Sequence, residues 1–264
     1  MTNKYSISIV GGGAVGKAIA AYYKDVKIYD KYKPVDPIEE AAKSDVIFVA
    51  VPTPFTNQPD LSEMDDAIET VSRHLTNPEK QIIVIKSTVV PGTTDRYQEK
   101  YPHMNFIFNP EFLTEKTATL DFANPDKQLV GFTEKTRGLG ASVLDMLPHA
   151  PYRKTLPAKV CEMVKYTINS YYAFKVIFAN SIYDYAIKVG ANYEEVRQGL
   201  AADKRIADSH FDVLHGGYRG YGGKCLPKDI QTLAWYARQN NSQVKFIETI
   251  IALNDKLKSK GSQI

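Results

Sequence analysis

The sequence predicts an α/β chain: a doubly wound parallel sheet, followed by a long central helix and a smaller all-helical domain. Three observations predict it. Short, nearly all-apolar runs alternate with helix-compatible stretches through the first half. The stretch after Pro157 runs to about Lys188 without a glycine or a proline. Composition shifts between the two, near Pro148–Pro157, which sets the expected domains at residues 1–150 and 151–264.

Tyr5–Val10 is a β-rich run that stops at glycines, and Val26–Tyr29, Val46–Val51, Ile82–Ile85 and Phe106–Phe108 are further strand-sized runs. Strands buried on both faces of a parallel sheet read this way, whereas half-exposed strands alternate polar with apolar. Val15–Lys24, Glu39–Lys43, Leu61–His74 and Thr93–Lys100 are the intervening helices, and that alternation is the pattern of a parallel sheet with crossovers. A helix of roughly thirty residues after Pro157 would span about 45 Å, and Gly190 supplies its stop. Such a helix is too long for one more crossover, so it is expected to join domains or to form a dimer interface. A short helix around Tyr193–Ala202, a glycine-rich loop from Gly216 to Gly223, and helices from about Lys228 and Val244 complete the chain.

Composition excludes several classes. The 264 residues are 44% hydrophobic and 24% charged, which is ordinary globular usage and not that of a disordered chain. Lysine and arginine number 33 against 30 acidic residues, a net charge of +3. That balance offers no electrostatic footprint for nucleic acid or a membrane surface. Two cysteines, Cys161 and Cys225, make no disulfide framework and suit a reducing compartment. With no signal-peptide pattern and only strand-sized apolar runs, a cytoplasmic protein is expected.

Gly11, Gly13 and Gly16 form G-x-G-x-x-G around Ala14 and Val15, directly after a strand and opening a helix, with Asp30 at the end of the next strand. Gly11 permits the tight turn, Gly13 lets a pyrophosphate approach the backbone, and Gly16 lets helix pack on strand. The helix N-terminus offers N–H groups and a positive dipole end to phosphate. Asp30 would accept hydrogen bonds from ribose hydroxyls and repel a 2′-phosphate, so a Rossmann-type domain binding NAD rather than NADP is expected. No metal is expected.

Four further segments carry a resemblance: Val51–Pro54 (VPTP) with Asp60–Leu61 following, Lys86–Thr94 (KSTVVPGTT), Asn109–Ala118 (NPEFLTEKTA) and Tyr221–Asp229 (YGGKCLPKD). A softer fifth is Glu162–Asn169 (EMVKYTIN). In this order they resemble the UDP-glucose 6-dehydrogenases and related nucleotide-sugar 6-dehydrogenases, the UDP-glucose/GDP-mannose dehydrogenase family. The resemblance implies oxidation of a primary alcohol to a carboxylate in two hydride transfers to NAD. An aldehyde has no hydride to give until a nucleophile adds to it, which is why a cysteine is needed. Cys225 matches the family nucleophile, beside Gly222 and Gly223, which leave room for substrate.

Carried over residue by residue, the resemblance implies that Lys165 and Asn169, four apart and so on one helix face, stabilise a developing oxyanion. Without it, Lys165 reads as a solvated helix lysine. Asp229 matches the aspartate that orients water or acts with the lysine, Thr88 the threonine that holds water near the nicotinamide, and Glu111 a general base for thioester hydrolysis. Glu115 is placed on the cofactor side with Val51, Pro52, Thr53 and Thr88. Phe112 and Leu113 would meet the sugar, and Arg205 matches an arginine that reaches a neighbouring subunit's sugar, implying a homodimer. Cys161, one turn before Lys165, is a rival nucleophile without motif support and reads as packing.

Two departures stand out. Only Lys31–Ser44 separates Asp30 from the next strand, and the chain stops at Ile264, where relatives continue into a second Rossmann-like domain. The expectation is a naturally minimal enzyme. UDP-glucose would still bind through the loop Asp208–Tyr221, where His210, Arg219 and Tyr221 offer phosphate and base contacts. GDP-mannose, another nucleotide sugar, and a non-catalytic NAD-binding dimer are the alternatives.

Overall fold

The structure, a computed structural model, describes residues 5–214 and 217–259. The chain divides into two units, Met1–Lys165 and Tyr166–Ile264.

The first unit is built on a seven-stranded sheet in the order β2-β1-β3-β4-β5-β6-β7. Strands β1 (Ile7–Val10), β2 (Lys27–Tyr29), β3 (Val46–Val49), β4 (Ile82–Ile85) and β5 (Asn105–Phe108) are mutually parallel. Every residue of β1, β3, β4 and β5 is buried, which is why those runs are almost wholly apolar. Alternate side chains serve opposite faces. Ile47, Val49, Ile83, Ile85, Phe106 and Phe108 pack into one core with α3 (Ser62–His74) and α4 (Thr93–Lys100). Val46, Phe48, Ile82, Val84 and Ile107 pack into a second core with α1 (Ala14–Tyr22), α5 (Ala118–Ala123) and α6 (Gly140–Met146). The short α2 (Ile38–Ala41) fills the place of the Glu39–Lys43 stretch.

The remaining strands extend the sheet beyond the five apolar runs. β6 (Lys127–Phe132) runs antiparallel to β5, and β7 (Tyr152–Pro157) runs parallel to β6. The sheet is parallel, as expected, at every pairing except β5 with β6. Neither added strand is an apolar run: β6 reads KQLVGF, and β7, at the sheet edge, reads YRKTLP with half-exposed residues. Because β7 belongs to the sheet, the division between units falls at Lys165 rather than near residue 150.

Helix α7 (Ala158–Val189) is continuous over 32 residues. Gly190 ends it in the left-handed region at φ +73°, and the Ala191 N–H reaches back to the Ala186 carbonyl at 2.9 Å, the long return bond of a Schellman stop. Three more helices form the second unit: α8 (Tyr193–Ala201), α9 (Leu226–Gln239) and α10 (Lys245–Ser259). Their core gathers Ala173, Val176, Ile177, Tyr221, Leu226, Ile230 and Ile250. Among the described residues no helix is long and apolar enough to cross a membrane.

The start of α7 is fixed within the first unit by a buried carboxylate. Glu162 accepts from the Gly92 N–H at 2.6 Å, the Thr94 N–H at 2.9 Å and the Thr94 hydroxyl at 2.6 Å. It thereby satisfies the opening N–H groups of α4, whose N-cap, Gly92, offers no side chain. Burial pushes the carboxyl up from 4.5 to about 6 against the pull of those donors. The folded state thus binds this proton more tightly than the unfolded chain does. Unfolding releases it between about pH 4.5 and 6, and the contribution to stability falls as pH rises through that window. The expected difference is on the order of 2 kcal/mol. Glu162→Gln should flatten this part of the stability profile, as read by urea unfolding at a series of pH values; an unchanged profile would contradict the assignment.

Candidate active site

The residues marked by the glycine fingerprint gather at the C-terminal ends of β1, β2, β3 and β4, where open α/β sheets bind ligands. A Cβ on Gly11 would meet the Ala50 carbonyl oxygen at 2.3 Å, and Gly11 sits at φ +108°. A Cβ on Gly16 would lie 2.0 Å from the Gly11 oxygen, so helix α1 touches the turn there with no room to spare. Gly13 is different: nothing lies within 4 Å of its would-be Cβ. It caps α1, and Ala14 beside it is exposed while Val15 is half-buried. Two glycines are thus dictated by internal packing and one by open space in front of a helix N-terminus, which is what an approaching pyrophosphate requires.

Asp30 is tied into this turn. Its Oδ2 accepts from the Gly12 N–H at 2.7 Å, and its Oδ1 from Tyr32 N–H at 2.9 Å and Lys33 N–H at 2.8 Å. Burial opposes its ionisation, but the backbone donors of Gly12, Lys33 and Tyr32 outweigh that and hold the carboxyl below its usual range. The loops after β3 and β4 are laced together. The Ser87 hydroxyl accepts from Val51 N–H at 2.9 Å and donates to Val51 O at 2.7 Å, while the Thr53 hydroxyl donates to Thr88 O at 2.7 Å. Pro52 stays exposed and Thr88 is buried.

Past the ends of β4 and β5 lies a charged cluster. Lys165, buried on α7, pairs with Glu111 at 2.9 Å. The second Glu111 oxygen accepts from the Leu113 N–H at 2.8 Å, closing the turn that carries Phe112. Burial works against the ionised Glu111, but Lys165, the Leu113 N–H and Lys86 more than offset it, and the carboxyl lies below its ordinary value. Lys127 and Lys165 both approach the Phe112 ring, at 4.4 and 5.5 Å from its centre. Glu115 is exposed, further along the same loop. Cys161 is fully buried, and burial pushes its thiol up to about 12, the condition of a packing cysteine and not of a nucleophile.

The second unit carries the other expected groups. Cys225 is exposed and caps α9. One turn on, Asp229 is buried, accepting from the Asn169 amide and paired with Lys228. The loop before Cys225 is set by its backbone. The Tyr221 N–H donates to Asn254 on α10 at 2.7 Å, and a Cβ on Gly220 would meet the same Asn254 oxygen at 2.6 Å. A Cβ on Gly222 would lie 1.9 Å from the Tyr218 hydroxyl, so this glycine is filled by a neighbour rather than left open.

Two expectations for this loop are corrected. Tyr221 is 1% exposed and packs in the helical core, so its ring is not presented to a base. Arg219 is committed internally. It donates to Asn180 Oδ1 at 2.9 Å and to the Asn180 carbonyl at 3.2 Å, and it pairs with Asp184 at 2.7 Å. His210 stacks on Tyr172 with ring centres 4.1 Å apart. Arg205 is exposed and paired with its neighbour Asp203. Gly216, the expected start of the glycine-rich loop, lies outside the described residues. Lys86, Asn109, Lys127 and Asn254 were not singled out by sequence. Lys86 and Asn109 open two of the motifs, but nothing near Asn254 marks it.

The fold and these residues define a Rossmann-type α/β unit joined to a helical unit that bears a cysteine. Residues 30–147 match the NAD binding domain of the UDP-glucose/GDP-mannose dehydrogenase family, and residues 159–256 match its central domain. The chain belongs to that family. It is 34% identical over 231 residues to UDP-glucose 6-dehydrogenase of Rhizobium meliloti, covering 82% of this chain and 51% of that one. It is 35% identical over 222 residues to a UDP-glucose 6-dehydrogenase of Bacillus subtilis, covering 81% and 47%. The chain thus spans about half the length of these curated relatives. Among solved structures, a UDP-glucose dehydrogenase from Pyrobaculum islandicum superposes with a TM-score of 0.84 at 26% identity, covering 97% of this chain and 69% of that one.

The glycine geometry separates packing from binding. Gly16→Ala should lower stability by about 1–3 kcal/mol through overpacking. Gly13→Ala should change it by less than about 1 kcal/mol yet weaken dinucleotide binding. Urea unfolding and titration calorimetry with NAD+ read the two effects, and undiminished NAD+ affinity in Gly13→Ala would remove the phosphate assignment.

Proposed function

We propose that the chain carries the NAD-dependent oxidation of UDP-glucose to UDP-glucuronate, through a covalent adduct on Cys225. The observation that supports the reading best is the buried Glu111–Lys165 pair. It is a base and a cation held together at the C-terminal edge of a dinucleotide-type sheet, in a chain of this family.

The turn Gly11–Gly16 and the N-terminus of α1 would hold the NAD pyrophosphate, with Asp30 on the adenine ribose. Asp30 Oδ2 makes one backbone bond and keeps acceptor capacity for a ribose hydroxyl, whereas Oδ1 already accepts two. Val51, Pro52, Thr53, Thr88 and Glu115 complete the cofactor side. NAD+ would supply the hydride acceptor, one molecule for each of the two oxidations.

After the first oxidation the Cys225 sulfur adds to the aldehyde carbon, giving a thiohemiacetal whose C–H can leave as hydride. Loss of that hydride leaves a thioester. Water, deprotonated by Glu111, adds to the carbonyl; the carbon–sulfur bond breaks, releasing carboxylate and restoring the thiol. Lys165 and Asn169, one helical turn apart on α7, donate to the oxygen on which negative charge develops. Asp229 orients the Asn169 amide through their hydrogen bond, and Thr88 holds the attacking water. Phe112, Leu113 and His210 would meet the sugar, and Arg205 would reach the sugar of a second copy.

With Tyr221 buried and Arg219 committed, neither reads the base, and GDP-mannose is the second substrate reading. NADH formation with a panel of nucleotide sugars, counted per sugar consumed, tests both. Two NADH per UDP-glucose is the expected result, and Cys225→Ser should lower acid formation on the order of 10³-fold or more. One NADH per sugar, or wild-type acid formation in that variant, would refute the covalent scheme.

The reading includes a homodimer. Along α7, Tyr171, Tyr185, Ile187 and Val189 are 57%, 65%, 58% and 59% exposed, an apolar load typical of a contact surface. Sedimentation velocity should give a dimer, and a monomer throughout the micromolar range would count against it.

A further inference from the structure

We infer that Lys86 is a positioning residue for this chemistry: it holds the turn from Asn109 to Glu111 and sets the field in which the Glu111–Lys165 pair works. The inference rests on the dehydrogenase reading and assigns a group that reading leaves unused.

Lys86 directly follows the last residue of β4, and its side chain is buried. Its Nζ donates to Asn109 Oδ1 at 2.7 Å. Asn109, fully buried just past β5, passes its own amide to Leu129 O at 2.7 Å and Gln128 Oε1 at 3.2 Å on β6. One side-chain relay therefore joins the ends of three adjacent strands, and Glu111 stands two residues beyond its middle member. A purely mechanical bolt does not need a cation here, because burying an ammonium is far more costly than burying methylenes. The charge is retained where a carboxylate and a second lysine are also enclosed.

The groups facing Lys86 are Glu111 from the turn after β5, Lys165 from α7, and the Phe122 ring from α5 at 5.6 Å. Lys127 of β6 stands across the Phe112 ring, beside Lys165. Two lysines, Lys86 and Lys165, thus act on one carboxylate. Burial drives Lys86 down to about 7, with Glu111 resisting and Lys165 adding to the fall. The sign follows. Below about pH 7 Lys86 is charged, and Glu111 is held ionised by two cations. Above it Lys86 loses its charge, and one of the two cations that hold Glu111 ionised is gone.

The test uses Lys86→Met, which keeps the buried stem, and Lys86→Arg, which keeps a permanent charge. Carboxyl ¹³C NMR of the full chain follows the titration of Glu111, with Glu111→Gln identifying its signal. Acid formation is measured across pH in parallel. In Lys86→Met the Glu111 midpoint should move up, and kcat for acid formation should fall roughly tenfold, a fraction of a general base's usual contribution. KM for the sugar should change little. In Lys86→Arg the Glu111 midpoint should stay near wild type, and the wild-type limb of the rate profile near pH 7 should vanish. A folded Lys86→Met with an unmoved Glu111 midpoint would overturn the inference. So would a Lys86→Arg that keeps that limb, and this second result decides the matter if Lys86→Met does not fold. If the wild type oxidises no sugar, the dehydrogenase reading fails by itself, and the Glu111 titration still decides the role of Lys86.

Discussion

The first turns of α7 are held against the sheet by a buried carboxylate and by a missing side chain. Glu162 takes three donors at the head of α4. On the same stretch of helix, a Cβ on Gly131 would lie 2.8 Å from Ala158 Cα and 3.2 Å from Cys161 Cβ, so only glycine in β6 admits the helix this closely. With the axis fixed at both contacts, the residue one turn past Cys161 has its direction fixed too. That residue is Lys165, and the direction brings it to Glu111. The ion pair is thus a consequence of backbone packing several residues away.

That pair is enclosed with more positive charge than it can neutralise. Lys86 and Lys165 both act on a single Glu111, and the Phe112 ring lies near Lys165 and Lys127. The arrangement is costly in the way buried charge always is, and it does two things that an apolar packing could not. It holds a carboxylate ionised at a buried position where burial alone would protonate it. It also brings a lysine, Lys86, whose own burial drives its ammonium down to about 7, into the field of that carboxylate.

Most of the first unit was legible because its constraints are local in sequence. Gly11 and Gly16 are dictated by contacts within a few residues or across one strand pair, and β1, β3, β4 and β5 are buried throughout, so their runs are almost wholly apolar. The stop at Gly190 was legible for the same reason. β6 and β7 were not. β6 mixes polar and apolar residues around Gly131, and β7, exposed at the edge, carries Tyr152, Arg153 and Lys154 where a central strand would carry valines. Their place in the sheet is also what carries the first unit on to Lys165. In the loop before Cys225, residue type misled: an arginine and a tyrosine next to a glycine-rich turn look available. Yet Asn180 and Asp184 on α7 claim Arg219, and the helical core claims Tyr221. Which way such side chains turn is decided by partners some forty residues away, which no local pattern records. The roles of the site residues come from resemblance, and what the structure adds is their neighbours.

On the proposed reading Cys225 is a nucleophile and must be reachable, whereas the groups that aim it must not move, and its loop places the two demands on different atoms. The thiol-bearing residue is exposed at the head of α9. Its restraints lie on the backbone before it and the helix after it. Asn254, 3% exposed, holds the Tyr221 N–H, and Asp229, 1% exposed, is fixed between Asn169 and Lys228. Losing the Asn254 bond would leave a buried N–H without an acceptor, which costs about 1–3 kcal/mol; that is enough to loosen a glycine-rich loop but not to unfold the unit. Gly220, at φ +82° against Asn254, has no space for a side chain. Its place just before the Y-G-G-x-C-x-P-K-D segment therefore follows from anchoring and not from substrate access. Gly223, two residues before the cysteine, has nothing within 4 Å of its would-be Cβ, so the glycine that holds the loop and the glycine that leaves space are different residues.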